Sequence, residues 1–186
     1  AFLLLTSPAL ATTQDDVLSA TLLPGWQMQS GAHMAALEMT LAPGWKTYWR
    51  SPGDAGIPPS FDWSGSQNVK SVRIHWPAPE VFQANGMQTI GYHEHLVLPM
   101  EITPQDPSRS VRLSVTVELG VCDEICLPAA LSLDTELVAP GAPNAAIKAA
   151  RGERAATARE GGVTAVACTV DPITDDENFR LHLPTD

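Results

Sequence analysis

The stretch Val111–Leu119 carries the cleanest hydrophobic pattern in the chain. Val111, Leu113, Val115, Val117 and Leu119 fall on one face, and Arg112, Ser114, Thr116 and Glu118 on the other, the period-2 signature of a half-buried strand. Ala129–Val138 alternates likewise, with Leu131, Leu133, Thr135 and Leu137 on one side. Strand, short connection and strand predict a hairpin, and Cys122 and Cys126 stand at its neck.

Upstream, Val17–Leu23 and His33–Leu41 read as strands separated by a turn at Pro24-Gly25 and the Ser30-Gly31 pair. His33–Leu41 does not alternate, which suits burial on both faces. Pro43-Gly44 and Pro52-Gly53 bracket a short segment, Trp45–Arg50, and Pro58-Pro59 precede a strand at Ser60–Trp63. Val69–Trp76 is β-branched at Val69, Val72 and Ile74 and stops at Pro77. Ala78–Gly91 has no period and two glycines, so a long surface loop is expected, and loops of that length are usually functional. His93–Ile102 reads as one further strand.

Past Pro140 the character changes. Residues 141–160 are rich in alanine, arginine and glutamate and read as a linker or short polar helix with Asn144 as N-cap. Val163–Val170 and Phe179–Leu183 are strand-like again, so 161–186 is read as the opening of a second β unit. At the other end, AFLLLTSPALA is an apolar run closing on small residues, the pattern of a signal-peptide remnant over 1–11. The main domain is then expected over 12–140, in an oxidising compartment where disulfides persist.

Sixteen prolines and thirteen glycines spread along the 186 residues cut long helices short and favour an all-β class. Net charge is −10, which repels phosphate backbones and anionic lipid and argues against nucleic-acid or peripheral membrane binding. No apolar run is long enough to span a bilayer. No G-x-S-x-G, P-loop or H-E-x-x-H motif occurs.

The remaining chemistry is in the cysteines. Cys122 and Cys126 lie in GVCDEICLP, flanked by strands rather than a helix start, so no helix N-terminus depresses their thiol pKa values. Asp123 and Glu124 oppose thiolate formation further. Such a pair suits being attacked as a disulfide, or exchanging inside a docked complex. The competing reading is a stabilising staple. Closing so small a ring removes only about 2 kcal/mol of unfolded-state entropy, little for a domain with this apolar fraction, and the redox reading is preferred. Cys168 reads as a small core residue. His93 and His95, two apart on a strand, share a face and are the weak candidates for a metal such as copper; a solvated strand edge is the preferred reading, since metal sites want three or four ligands.

In order, the segments PGWKTYWRSPGDAGIPPSFDW, WPAPEVF, GYHEHLVLPMEI and VELGVCDEICLPAALSL resemble the N-terminal periplasmic domain of the thiol–disulfide interchange protein DsbD. They are closer still to the suppressor-of-copper-sensitivity branch, which has the shorter cysteine spacing. The resemblance covers roughly residues 15–140. It implies an immunoglobulin-like β-sandwich, and a protein-disulfide reductase component in the periplasm that passes reducing equivalents through Cys122 and Cys126 without a bound cofactor. It implies thioredoxin-fold redox partners and a membrane electron-transfer domain. It also implies that Cys126 forms the mixed disulfide, that Cys122 resolves it, and that an aromatic of Val81–Tyr92 caps the pair: Phe82 or Tyr92, with Tyr48 nearby. A copper-binding or copper-tolerance module using His93 and His95 is the alternative.

Overall fold

The computed structural model describes residues 12–84, 86–163, 169–172 and 179–182. The leader expected over 1–11, and Cys168, lie outside the described residues. The chain divides into two compact units, residues 1–154 and 155–186.

In the first unit, one turn of helix (α1, Gln14–Val17) leads into β1 (Leu18–Gln27), followed by β2 (His33–Leu41), β3 (Lys46–Gly53), β4 (Ser60–Asp62), β5 (Val69–Ile74), β6 (Glu80–Ala84), β7 (Met87–His93), β8 (His95–Pro104), β9 (Val111–Cys122) and β10 (Cys126–Leu137), and closes on a helix, α2 (Ala145–Gly152). All pairings are antiparallel. A four-stranded sheet runs β1-β2-β8-β5, and a six-stranded sheet runs β10-β9-β3-β7-β6 with β4 also on β9. The two sheets make the immunoglobulin-like sandwich the resemblance implies.

Between the sheets the odd-numbered residues of β9, from Val111 to Val121, meet Leu37, Met39, Leu98, Met100 and Ile102. The alternation read from the sequence is therefore the inward face of this strand. All five tryptophans are partly buried and pack on apolar clusters. The outer face of the four-stranded sheet is covered by α2, whose Ile147 and Ala150 bury against Met34, Ala36 and Val97. That second layer is why β2 is apolar on both faces. The Asn144 side chain caps α2 by accepting from the backbone N–H of Ala146 and Ile147. Asn144→Ala is expected to cost about 1 kcal/mol, seen as a lower urea midpoint at unchanged slope; an unchanged midpoint would show that the cap is dispensable.

Three expectations are corrected. Pro24-Gly25 is not a turn: it is an irregularity inside β1, between Leu23 and Trp26, with Gly25 pressed against the Met34 carbonyl so closely that no side chain fits. The reversal comes later, where Gly31 takes φ 84°. Residues 78–91 are not a long loop but a hairpin, β6 on β7, with Glu80 opposite Gly91 and Ala84 opposite Met87. Two residues, Asn85 and Gly86, separate the strands, a dipeptide that favours tight hairpin turns, and Gly86 has φ 77°. His93–Ile102 is not one strand either: Glu94, at φ 52°, breaks it into the end of β7 and the start of β8.

In the second unit, β11 (Thr169–Pro172) pairs antiparallel with β12 (Phe179–His182), Val170 opposite Leu181.

Candidate functional site: the disulfide at the β9–β10 neck

Pairing along the β9–β10 hairpin is unbroken from Val111↔Leu137 to Cys122↔Cys126. The two cysteines are thus direct cross-strand neighbours at its last rung. They are joined as a disulfide with Cα atoms 4.1 Å apart. The connection is the tight turn Asp123–Ile125, in which the Asp123 N–H donates to the Ile125 carbonyl at 3.0 Å.

Residues opposite one another in a sheet share a face. Odd positions of β9 point into the core, so Cys122 points outward. Across the sheet, Cys126 pairs with Cys122, Cys122 with Lys46 on β3, and Lys46 with His93 on β7. These four form one row on the outer face. Tyr48, two residues along β3 from Lys46, lies on the same face opposite Gly91.

By alternation alone both sulfurs would be open to solvent. Instead Cys122 is 1% exposed while Cys126 is exposed. A strap over residues 54–59 covers part of this face. It is tied to β7 by Asp54, whose N–H donates to the Gln88 carbonyl at 2.8 Å and whose carboxylate accepts from the Gln88 N–H at 2.8 Å. Gly56 lies against the Tyr48 ring, where an added Cβ would sit 2.6 Å from a ring carbon, and Ile57 lies over Gly120, where one would sit 2.8 Å away. Tyr48 is thereby 3% exposed, and burial pushes its phenol pKa up, so the hydroxyl keeps its proton at neutral pH. That hydroxyl is 3.9 Å from Cys126 Sγ. A disulfide sulfur carries no hydrogen, so the phenol is the donor in this long contact.

The three aromatics expected near the pair fall in different places. Tyr48 is the one beside the sulfur. Phe82 is on the outer face but on β6, three strands from β9, its ring 4.3 Å from that of His93 and 5.2 Å from the Lys46 ammonium. Tyr92 points the opposite way, into the core. Its hydroxyl donates to the Pro77 carbonyl at 2.9 Å, and burial drives its pKa strongly upward, against a smaller opposing pull from Arg50. As a shield for the disulfide Tyr92 is therefore excluded by its own strand's alternation. Ile57 and Ile125, 46% and 55% exposed, are the apolar side chains flanking the pair, and neither was expected.

Because Glu94 breaks the strand, His93 belongs to the six-stranded sheet and His95, opposite Thr40, to the four-stranded one. Each has its own carboxylate: His93 Nδ1 is 3.3 Å from Glu80, and His95 Nε2 is 3.0 Å from Glu38. Both border a cleft of about 350 Å³ beside α2, yet among the described residues no three His, Cys, Asp or Glu side chains are grouped to hold a metal ion. A larger cleft, about 580 Å³, is lined by Arg109, Arg112, Asp134 and Glu136 towards the far end of the β9–β10 hairpin, and the cysteines do not border it.

No match was found among curated proteins. Among solved structures, the chain is similar to the N-terminal periplasmic domain of ScsB from Proteus mirabilis, at 31% identity over 82% of this chain with a TM-score of 0.53. It spans about half of that domain, 54%. A remoter likeness, 12% identical over 71% of this chain and 92% of the other with a TM-score of 0.38, is to the reduced N-terminal domain of DsbD from Neisseria meningitidis. Residues 19–137, which take in the sandwich and both cysteines, match the family described as "Thiol:disulfide interchange protein DsbD, N-terminal", and the chain belongs to that family.

Proposed function

We propose that this chain is a periplasmic thiol–disulfide exchange domain, a protein-disulfide reductase component that cycles Cys122 and Cys126 between disulfide and dithiol. The observation that carries the reading is the unequal burial of the two cysteines. An attacking thiolate must approach along the S–S axis, and of the two residues only Cys126 is exposed to one. A thiolate from a reduced partner attacks Cys126 Sγ, the S–S bond breaks, and its electron pair leaves on Cys122 Sγ. A second partner thiolate then releases Cys126. Run backwards, the same steps pass both electrons to an oxidised partner: Cys126 forms the mixed disulfide and Cys122 resolves it.

Two sulfurs carry the electrons, so the domain requires no bound cofactor. Suitable partners are thioredoxin-fold dithiols, able to present one sulfur at the exposed rung between Ile57 and Ile125. No described helix is long and apolar enough to cross a membrane, so a membrane-borne reductant would act on this domain from outside it. Membership of the family and the periplasmic location of the ScsB relative support both the chemistry and the compartment. The deciding measurement is the reduction potential of the pair against a glutathione buffer. A value near about −200 mV is expected for an exchanging pair, whereas one below about −300 mV would mark an inert structural bond and sink the proposal.

A further inference from the structure

Breaking the disulfide places a negative charge on the wrong sulfur for solvent to help: Cys122 is 1% exposed, and the turn beside it carries Asp123 and Glu124 in a chain of net charge −10. Something must compensate that charge if the exchange proposed above is to be fast.

We infer that Lys46, the cross-strand partner of Cys122, is the residue that stabilises the Cys122 thiolate. The register sets Lys46 directly opposite Cys122, so the two Cβ atoms are about 5 Å apart on one face. In the disulfide form Cys122 has no charge to offer, and the Lys46 ammonium rests instead over the Phe82 ring, 5.2 Å from its centroid. A cation over a half-buried phenyl ring that water still reaches is held only weakly. The four-carbon stem is flexible and its head is a compact point charge, so the ammonium swings from Phe82 to the sulfur when the bond breaks.

The other groups facing this spot leave the task to Lys46. His93, its neighbour on β7, is 3.3 Å from the Glu80 carboxylate, so it brings a negative charge with it. Tyr48 is protonated and its hydroxyl points to Cys126. Asp123 and Glu124 repel a thiolate. When a partner thiolate attacks Cys126, the electron pair of the S–S bond moves to Cys122 Sγ, and Lys46 lowers the energy of that leaving group. In the reverse direction it keeps Cys122 ionised for the resolving attack. Solvent takes up or supplies the protons that accompany the dithiol.

The inference rests on the exchange function, and its test is chosen to read separately. Oxidised wild type, K46M and K46R are reduced with dithiothreitol, a small dithiol that needs no docking surface. The acidity of Cys122 is followed by thiolate absorbance in a Cys126→Ser background, with and without K46M. Methionine keeps the stem and removes the charge. Cys122 should become about tenfold less acidic in K46M, and reduction should slow about threefold, the square-root dependence typical of thiol exchange, while K46R tracks the wild type. Unchanged acidity and rate in a folded K46M would overturn the inference. Failure of the exchange function would show elsewhere, as a wild type that thioredoxin-fold dithiols cannot reduce although dithiothreitol does.

Discussion

Cys126→Ser is expected to abolish mixed-disulfide formation with a thioredoxin-fold partner outright, whereas Cys122→Ser should accumulate it. The two substitutions are chemically identical and four residues apart, so a structural staple would respond to both alike. The asymmetry comes from the fold. Cys122 is on the outward face of β9 yet 1% exposed, and the strap over 54–59 crosses the same strand at Gly120. Cys126 begins β10 at the rim and is exposed. Removing Cys126 leaves one thiol that a docked partner cannot reach. Removing Cys122 leaves the reachable thiol with nothing behind it to displace the partner, so the intermediate stops there. Trapping on non-reducing gels with a partner lacking its own resolving cysteine reads this directly. Equal trapping by both variants would mean that a partner reaches both cysteines, and the assigned roles would fail.

How far the sequence alone reaches is set by how local each determinant is. The β9–β10 hairpin, the place of both cysteines at its neck and the Asn144 cap depend on residues within a few positions of one another, and alternation or side-chain chemistry reveals them. The β6–β7 hairpin was legible too, in Asn85-Gly86; its weak alternation hid it, because this hairpin has one partner strand and mostly exposed side chains and needs little apolar patterning. The break at Glu94 leaves no such mark, since a glutamate with positive φ looks like any glutamate. What completes the site is non-local. Lys46 faces Cys122 only because β3 inserts between β9 and β7, and Ile57 covers Gly120 only because the strap folds back over 62 residues of intervening sequence. No spacing rule connects such pairs. The PGDAGIPPS stretch reads as turns, whereas in the fold Pro52 and Gly53 close β3 and residues 54–59 form the strap, with Gly56 against Tyr48.

The largest stability effect away from the cysteines is expected at Gly91. It pairs with Tyr48 across β3 and β7, and the two backbones approach so closely that a Cβ would run into the Thr47 carbonyl oxygen and stand 3.0 Å from Tyr48 Cα. Neither obstacle is the end of a flexible side chain; both are main chain of a central strand. Gly91→Ala must therefore push β7 away from β3, straining the pairs Lys46–His93 and Thr47–Tyr92 beside it. The Thr47 hydroxyl, which donates to the Gly120 carbonyl at 3.0 Å, ties β3 to β9, so the displacement cannot be absorbed by sliding β3 without disturbing the disulfide strand. A cost of about 2–3 kcal/mol is expected from overpacking of this kind, read as a lower urea midpoint. The contrasting substitution is Gly152→Ala in the last turn of α2, where an added Cβ meets nothing within 4 Å and the lower backbone entropy of the unfolded chain makes the change neutral or stabilising by up to about 1 kcal/mol. Equal midpoints for Gly91→Ala and the wild type would show that β7 can move freely against β3. A survivor that folds at lower stability has a second readout: β3 carries both Lys46 and Tyr48, so its dithiothreitol reduction rate should change as well, because the site depends on the spacing that Gly91 permits.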